Sequence, residues 1–174
     1  MMSFLRPLLC IAMMLPAAPA LADEIWFGTY RHDVTLAQTK FESGQDIKAG
    51  WIGKRIAGLR KIGRPAPHLL VSKSLNGGTD YLAVGLNWVW GSKLYLRPGI
   101  GLAVNDGPRR AVRDGRRVDL GSPITFEPEL AAGWRASDHI AVEASWVHLS
   151  HGTIFSRQNR GMDSMGLRML YRLR

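Results

Sequence analysis

Apolar and polar positions alternate with a period of two along much of this chain, and a period of two is the signature of a β-strand rather than a helix. In residues 140–150 the even positions read Ile140, Val142, Ala144, Trp146, His148 and Ser150, against odd positions that include Glu143 and Ser145. Residues 163–173 set Asp163, Met165, Leu167, Met169, Tyr171 and Leu173 against Ser164, Gly166, Arg168 and Arg172. The same pattern runs through residues 81–90, 94–104 and 124–134, and less regular strands are predicted at 25–32, around 47–52 and at 68–75. The expected count is eight strands.

The composition of the two faces separates a membrane barrel from a soluble sandwich. One face of each strand is apolar, and the other carries Gly and Ala together with Arg97, Glu127, Glu129, Glu143, Arg168 and Arg172. A sandwich exposes mostly Lys, Thr and Ser on its wet face and keeps glycine out of its strands. Small residues and opposite charges suit the crowded interior of a narrow barrel, where carboxylates and guanidiniums pair. Trp88, Trp90 and Trp134 at strand ends fit an interfacial aromatic girdle. The fold class expected is therefore all-β, an eight-stranded antiparallel transmembrane β-barrel. Pro98 and Pro128 fall inside two of the predicted strands, where each removes a ladder donor, and are expected to mark bulges. The chain ends on Arg174 rather than on an aromatic, with Tyr171 close by.

At the N-terminus, Arg6 precedes an apolar run from Pro7 to Pro16, and Ala20-Leu21-Ala22 precedes Asp23. This is the layout of a secretory signal peptide with an A-x-A cleavage site, so residues 1–22 are expected to be a signal peptide and residues 23–174 the barrel domain. The run is too short to span a bilayer as a helix. Loss of residues 1–22 removes Cys10, the only cysteine, and one arginine, taking 174 residues to 152 and the net charge from +9 to +8. A chain without cysteine cannot be a disulfide-stapled secreted module.

With both termini on the periplasmic side, the outer loops are expected at residues 33–46, 76–80, 105–123 and 151–162. The third contains Arg109, Arg110, Arg113, Arg116 and Arg117, and the fourth adds Arg157 and Arg160. Guanidinium forks match phosphate geometry, and the outer leaflet holds phosphorylated lipid A, so Arg109, Arg110, Arg116, Arg117, Arg157 and Arg160 are candidate phosphate-binding residues. A solvated loop remains the other reading of the same residues. Nucleic acid, the third partner a basic patch suggests, is excluded by the secretory layout and the lipid-facing alternation.

The candidate chemistry lies where two apolar faces end. His148 and Ser150 are two residues apart and so share a face. A neighbouring antiparallel strand can bring Asp163 to His148. Ser150 would be the nucleophile, His148 the general base, and Asp163 the acid that orients the imidazole. No metal or cofactor is required by this set. A lone H-x-S is a weak signal; polar residues ending lipid-facing series, where Leu, Val or an aromatic is expected, are a stronger one.

Residues 122–173, through Ala131-Ala132-Gly133-Trp134-Arg135, His148-Leu149-Ser150-His151-Gly152 and Asn159-Arg160-Gly161-Met162-Asp163-Ser164, resemble the lipid A 3-O-deacylase family of PagL-type outer-membrane barrels. That family shows a strand ending H-x-S-N, a short loop, and N-x-G-x-[ED] opening the final strand. The resemblance implies an outer-membrane serine esterase that removes the 3-O-linked acyl chain of lipid A, without a metal. Carried over by position, His148 and Ser150 match the catalytic pair, Asp163 the acid, and Asn159 an oxyanion-stabilising asparagine. His151 stands in place of the usual asparagine, Asp163 in place of the frequent glutamate, and the loop is slightly longer. The partners implied are lipopolysaccharide and the outer membrane, with a homodimer left open. Two other readings stay in view. Residues 156–160 resemble the outer-membrane phospholipase A family, in which an asparagine completes the triad. A non-catalytic barrel for adhesion or envelope integrity would use His148 and Ser150 only as a strand end.

Overall fold

The computed structural model describes residues 22–34, 41–110 and 117–173. Residues 1–21 of the expected signal peptide, parts of the first and third outer loops, and with them Arg113 and Arg116, lie outside the described residues.

The described chain is almost entirely sheet. Its strands are β1 (Ala22–Arg31), β2 (Gln45–Gly53), β3 (Ala66–Ser74), β4 (Tyr81–Asn87), β5 (Trp90–Gly91), β6 (Leu94–Asn105), β7 (Ile124–Arg135), β8 (Ile140–Leu149) and β9 (Met162–Arg172). They follow the spatial order β4-β3-β2-β1-β9-β8-β7-β6-β5, and a β4–β6 pairing closes the sheet on itself. All pairings are antiparallel. A closed antiparallel sheet leaves no edge, which is what a strand-built protein needs in hydrocarbon, where no water is available for an unpaired N–H or C=O.

Nine strands make eight staves, because β4 and β5 are two pieces of one. Both pair with β6, and the register runs unbroken from Asn87↔Gly99 to Trp90↔Leu96. Pro98 lies between them, accepting from the Trp88 N–H at 2.9 Å with no N–H of its own to return. The second proline acts alike. The pairs Glu129↔Val147 and Phe126↔Ser150 place Pro128 across from His148, where the ladder is interrupted. Neither proline marks a bulge, contrary to expectation. No residue is inserted at either, and the loss is of one donor rather than of register.

The alternation resolves into outside and inside. Phe27, Leu82, Val84, Leu96, Leu102, Val104, Leu167 and Met169 are among the large apolar side chains exposed on the outer face. Trp90 and Trp134 are exposed at the end that carries the β7–β8 turn, as a girdle requires. Trp88 instead donates its indole N–H to the Ile62 carbonyl at 2.6 Å, holding the β2–β3 connection and its short 3-10 helix, Ala57–Ile62, against the barrel mouth. The sequence reading did not anticipate that helix.

Inside, the polar series forms a connected lattice. Arg168 forks onto both Glu129 oxygens at 3.1 and 3.0 Å and donates to Glu143 at 2.6 Å. Arg97 joins the other Glu143 oxygen at 2.8 Å to Glu24 at 2.6 Å, and the Tyr95 hydroxyl donates to Glu143 at 2.6 Å. Arg168 also lies over the Trp26 ring, 4.6 Å from its centroid. Gly133 makes room for Tyr95, since a β-carbon there would overlap the tyrosine ring. Farther toward the outer end, Lys48 donates to the Tyr81 hydroxyl at 2.7 Å, and His68 meets Glu127 at 3.2 Å. The barrel is thus filled with paired charge rather than open as a channel.

Removing one partner of such a buried set leaves uncompensated charge. Arg168→Ala, which strands Glu129 and Glu143, is expected to destabilise the barrel by about 3–5 kcal/mol. The temperature at which the folded gel band converts to the unfolded one should fall well below that of Arg109→Ala, a change at an exposed loop position.

Candidate active site

The outer end of the barrel carries the connections β1–β2, β3–β4, β6–β7 and β8–β9, and they are knit by side chains rather than by regular structure. Glu42 is the centre of the knot. It accepts from His32 Nε2 at 2.5 Å, from the Thr79 N–H and hydroxyl at 2.6 and 3.0 Å, from Arg117 Nε at 3.0 Å and from the Val118 N–H at 2.9 Å. The other ring nitrogen of His32 meets Asp46 at 2.6 Å. Burial alone would lower the His32 pKa, but hydrogen bonds to Asp46 and Glu42 overcome it and raise the value to about 9. Burial would raise the Glu42 carboxyl, but the bonds from His32 and from the Thr79 and Val118 N–H groups hold it below its ordinary value. From this knot the third loop reaches the fourth. Asp119 accepts from Gln158 Nε2 at 2.5 Å and pairs with Arg160 at 3.3 Å. Gly121, at φ +75°, lets the two loops touch, since a β-carbon there would overlap the Gln158 carbonyl.

His148 and Ser150 lie just before the fourth loop and Asp163 just after it. His148 and Asp163 are cross-strand partners in the β8–β9 register, and His148 Nδ1 is 2.9 Å from Asp163 Oδ1. Asp163 is buried, although its position belongs to the lipid-facing series, and 18% of the His148 side chain is exposed. Ser150 lies one residue beyond β8. Its backbone is fixed by a two-way exchange with Phe126, the Phe126 N–H reaching Ser150 O at 2.7 Å and the Ser150 N–H reaching Phe126 O at 3.2 Å. Nδ1 faces the carboxylate, and by strand parity the ring stands on the face that His148 shares with Ser150.

Asn159 is held within its own loop. Its Oδ1 accepts from the His151 N–H at 2.9 Å. His151, the departure from the family pattern, is fully buried and ties the loop together. Its Nε2–H donates to the Gln158 carbonyl at 2.8 Å, its Nδ1 accepts from the Phe155 N–H at 3.4 Å, and its ring lies 5.8 Å from that of Phe155. Phe155 in turn stacks on Phe126 at 6.0 Å.

Of the candidate phosphate-binding arginines, Arg109, Arg110 and Arg157 are exposed. Arg117 is half-buried and bound to Glu42 and to Asp106 at 3.1 Å, and Arg160 pairs with Asp119 while covering the Phe41 ring at 4.3 Å. Those two serve the loop knot. Among the described residues, no group of three or more His, Cys, Asp or Glu side chains is arranged to hold a metal ion. Sequence reasoning missed Trp146, whose Nε1–H donates to Asp163 Oδ1 at 2.8 Å. The signal was its place two residues before His148 on the same face.

The sequence profile of the lipid A 3-O-deacylase (PagL) family matches residues 39–172. No curated protein matches the chain. Among solved structures, the crystal structure of the outer membrane enzyme PagL superposes with a TM-score of 0.59 at 17% identity, covering 84% of this chain and 97% of that one. A de novo designed transmembrane β-barrel gives 0.50 at 11% identity, covering 85% and 92%. The Yersinia pestis outer membrane protein Ail in a phospholipid nanodisc gives 0.50 at 10%, covering 86% and 97%. Identities this low establish the shared barrel fold.

The raised pKa of His32 carries a sign. Its contribution to the loop knot is complete below the ordinary histidine value of about 6.5 and is lost as pH rises through about 9. Hydrogen exchange at the Thr79 and Val118 amides, corrected for intrinsic rates, should accelerate between pH 7 and 10. His32→Gln should exchange quickly throughout, with no such step.

Proposed function

The chain belongs to the lipid A 3-O-deacylase (PagL) family, and from that premise we propose that Ser150, His148 and Asp163 carry out its hydrolysis as a serine-esterase triad on the lipid-facing surface. The protein is an outer-membrane β-barrel enzyme that hydrolyses an ester of lipid A. The single observation that carries the residue assignment is the His148 Nδ1 to Asp163 Oδ1 contact at 2.9 Å, made in register across β8 and β9.

In this reading the acyl ester at position 3 of lipid A approaches from the outer leaflet. Ser150 Oγ attacks the ester carbonyl while His148 Nε2 takes its proton, and Asp163 stabilises the imidazolium that forms. The tetrahedral oxyanion is met by the Asn159 carboxamide N–H, which the His151 N–H orients by occupying the Asn159 oxygen. Collapse breaks the ester bond, and His148 returns the proton to the departing sugar oxygen. Water then repeats the sequence on the acyl-serine, releasing a fatty acid and regenerating Ser150. Arg109, Arg110 and Arg157, exposed in the outer loops, suit the lipid A phosphates. The cleaved signal peptide over residues 1–22 belongs to the same proposal, as the route to the outer membrane.

The phospholipase-like alternative needs an asparagine on the histidine. Asn159 faces the His151 amide instead, which favours the acid-assisted triad.

Mass spectrometry of lipid A from cells making the wild-type protein should show loss of one hydroxyacyl chain, and Ser150→Ala should abolish it. Asp163→Asn should lower kcat by roughly 10⁴, the scale of the equivalent change in the serine-protease triad. Asn159→Ala should cost on the order of 10² to 10³ as a single oxyanion donor. Near-normal turnover by Asp163→Asn together with an inactive Asn159→Ala would reverse the two roles.

Replacing Arg109, Arg110 and Arg157 together with glutamine should raise KM for phosphorylated lipid A far more than for a neutral ester. An equal rise for both substrates would mean that these side chains form only a solvated surface.

A further inference from the structure

Trp146 belongs by parity to the lipid-facing series of β8, yet its polar edge is bound to a carboxylate. Its Nε1–H donates to Asp163 Oδ1 at 2.8 Å, the same oxygen that meets His148 Nδ1 at 2.9 Å. The register accounts for the geometry. Met165 lies directly across from Trp146 and Asp163 directly across from His148, so the indole reaches its carboxylate along the diagonal. The Trp146 and His148 rings lie 6.0 Å apart at 28°, stacked side by side over one oxygen.

We propose that Trp146 is a positioning residue of this esterase, its indole N–H fixing the Asp163 carboxylate and setting how tightly His148 holds a proton. The inference rests on the triad reading above and deepens it.

An aspartate carboxylate held only by the imidazole can turn about its last torsion and offer either oxygen. A second donor on the same oxygen removes that freedom, so the imidazole is held in one orientation. The second effect is electrostatic. The N–H favours the ionised carboxylate in a site bordered by acyl chains, and it shares the oxygen that attracts the imidazolium. Deleting the N–H should therefore lower kcat, and it should also raise the pH at which the His148–Asp163 unit loses its proton. Both a less stabilised carboxylate and an unshared pull on His148 act in that direction.

Other charged groups around the pair have their own partners or stand apart. On β7, Glu127 and Glu129 point inward to His68 and Arg168, and on β8 Glu143 points inward to Arg97 and Arg168. On β9 the charged residue beyond Asp163 is Arg168, itself inside the barrel. In the first loop Asp33 accepts from the Phe41 and Glu42 N–H groups, and the next residue, Val34, donates its N–H to the Asp163 carbonyl at 2.8 Å. In the fourth loop His151 binds Gln158, and Arg160 pairs with Asp119. Arg31 of β1 lies across β9 from Met165 on the outer face. None of these changes when only the indole N–H is removed.

The test compares wild type with Trp146→Phe and with a variant carrying 3-benzothienylalanine at position 146, in which sulfur replaces the N–H of an otherwise equal ring. Folding is checked by heat-modifiable gel mobility, and kcat, KM and the pH profile are measured on lipid A in detergent micelles. Both variants should lose kcat on the order of tenfold, the scale of one hydrogen bond to a charged group, with little change in KM. Their acid limb should move upward by roughly half to one pH unit. Unchanged kcat, or a fall in kcat without an upward move of that limb, overturns the proposal while leaving the triad standing, because a packing role alone would not alter the titration. Ser150→Ala is measured beside them. Should it still hydrolyse lipid A, the triad reading itself fails and the role given to Trp146 falls with it.

Discussion

Backbone pairing in hydrocarbon is the constraint on which everything else in this protein depends. With no water to satisfy N–H and C=O groups, eight staves must close on one another, and closure makes side-chain parity absolute. Within each strand, successive residues face lipid and the interior in turn. The two prolines show how closely the ladder is followed. Pro98 and Pro128 each delete a donor, yet the register passes through both unchanged. One of the two gaps lies across from His148, so the strand is least tied to β7 at the residue given the role of base.

Parity then divides the labour. The inward series is filled by Arg97, Arg168, Glu24, Glu129 and Glu143, whose guanidiniums and carboxylates are bound to one another. The proposed chemistry therefore belongs to the outside, where His148 and Asp163 take outward positions at the rim of the apolar belt. A lipid substrate need not leave its leaflet to reach them. The loop knot centred on Glu42 holds the third and fourth loops over that rim, and through Gln158 and Arg160 it reaches the segment carrying Asn159.

Much of this was legible in the chain because a strand's period of two is local. The lipid and interior faces of residues 124–134, 140–150 and 163–173 could be assigned without knowing any contact, and a neighbouring antiparallel strand was expected to be able to bring Asp163 to His148, which the register does. What was not legible depends on register or on loop folding, neither of which has a period. The position of Pro128 opposite His148 exists only once Phe126 is paired with Ser150. His151 could be seen to replace an asparagine, but its hold on Gln158 and Phe155 requires the folded loop. Arg117 and Arg160 looked like the other loop arginines, and only the fold shows them bound to Glu42 and Asp119. Trp146 was visible as an apolar residue on the right face, while its N–H found a use through a diagonal contact that alternation cannot express.

Ser150 is proposed as a nucleophile activated on the lipid-facing surface. Its most direct test is reaction of the folded protein in detergent with a fluorophosphonate, followed by peptide mass spectrometry to locate the adduct. A single adduct on Ser150 is expected, formed at a rate that collapses when His148 is replaced by glutamine. A protein that remains unlabelled while actively deacylating lipid A, or one labelled at another serine, would contradict it.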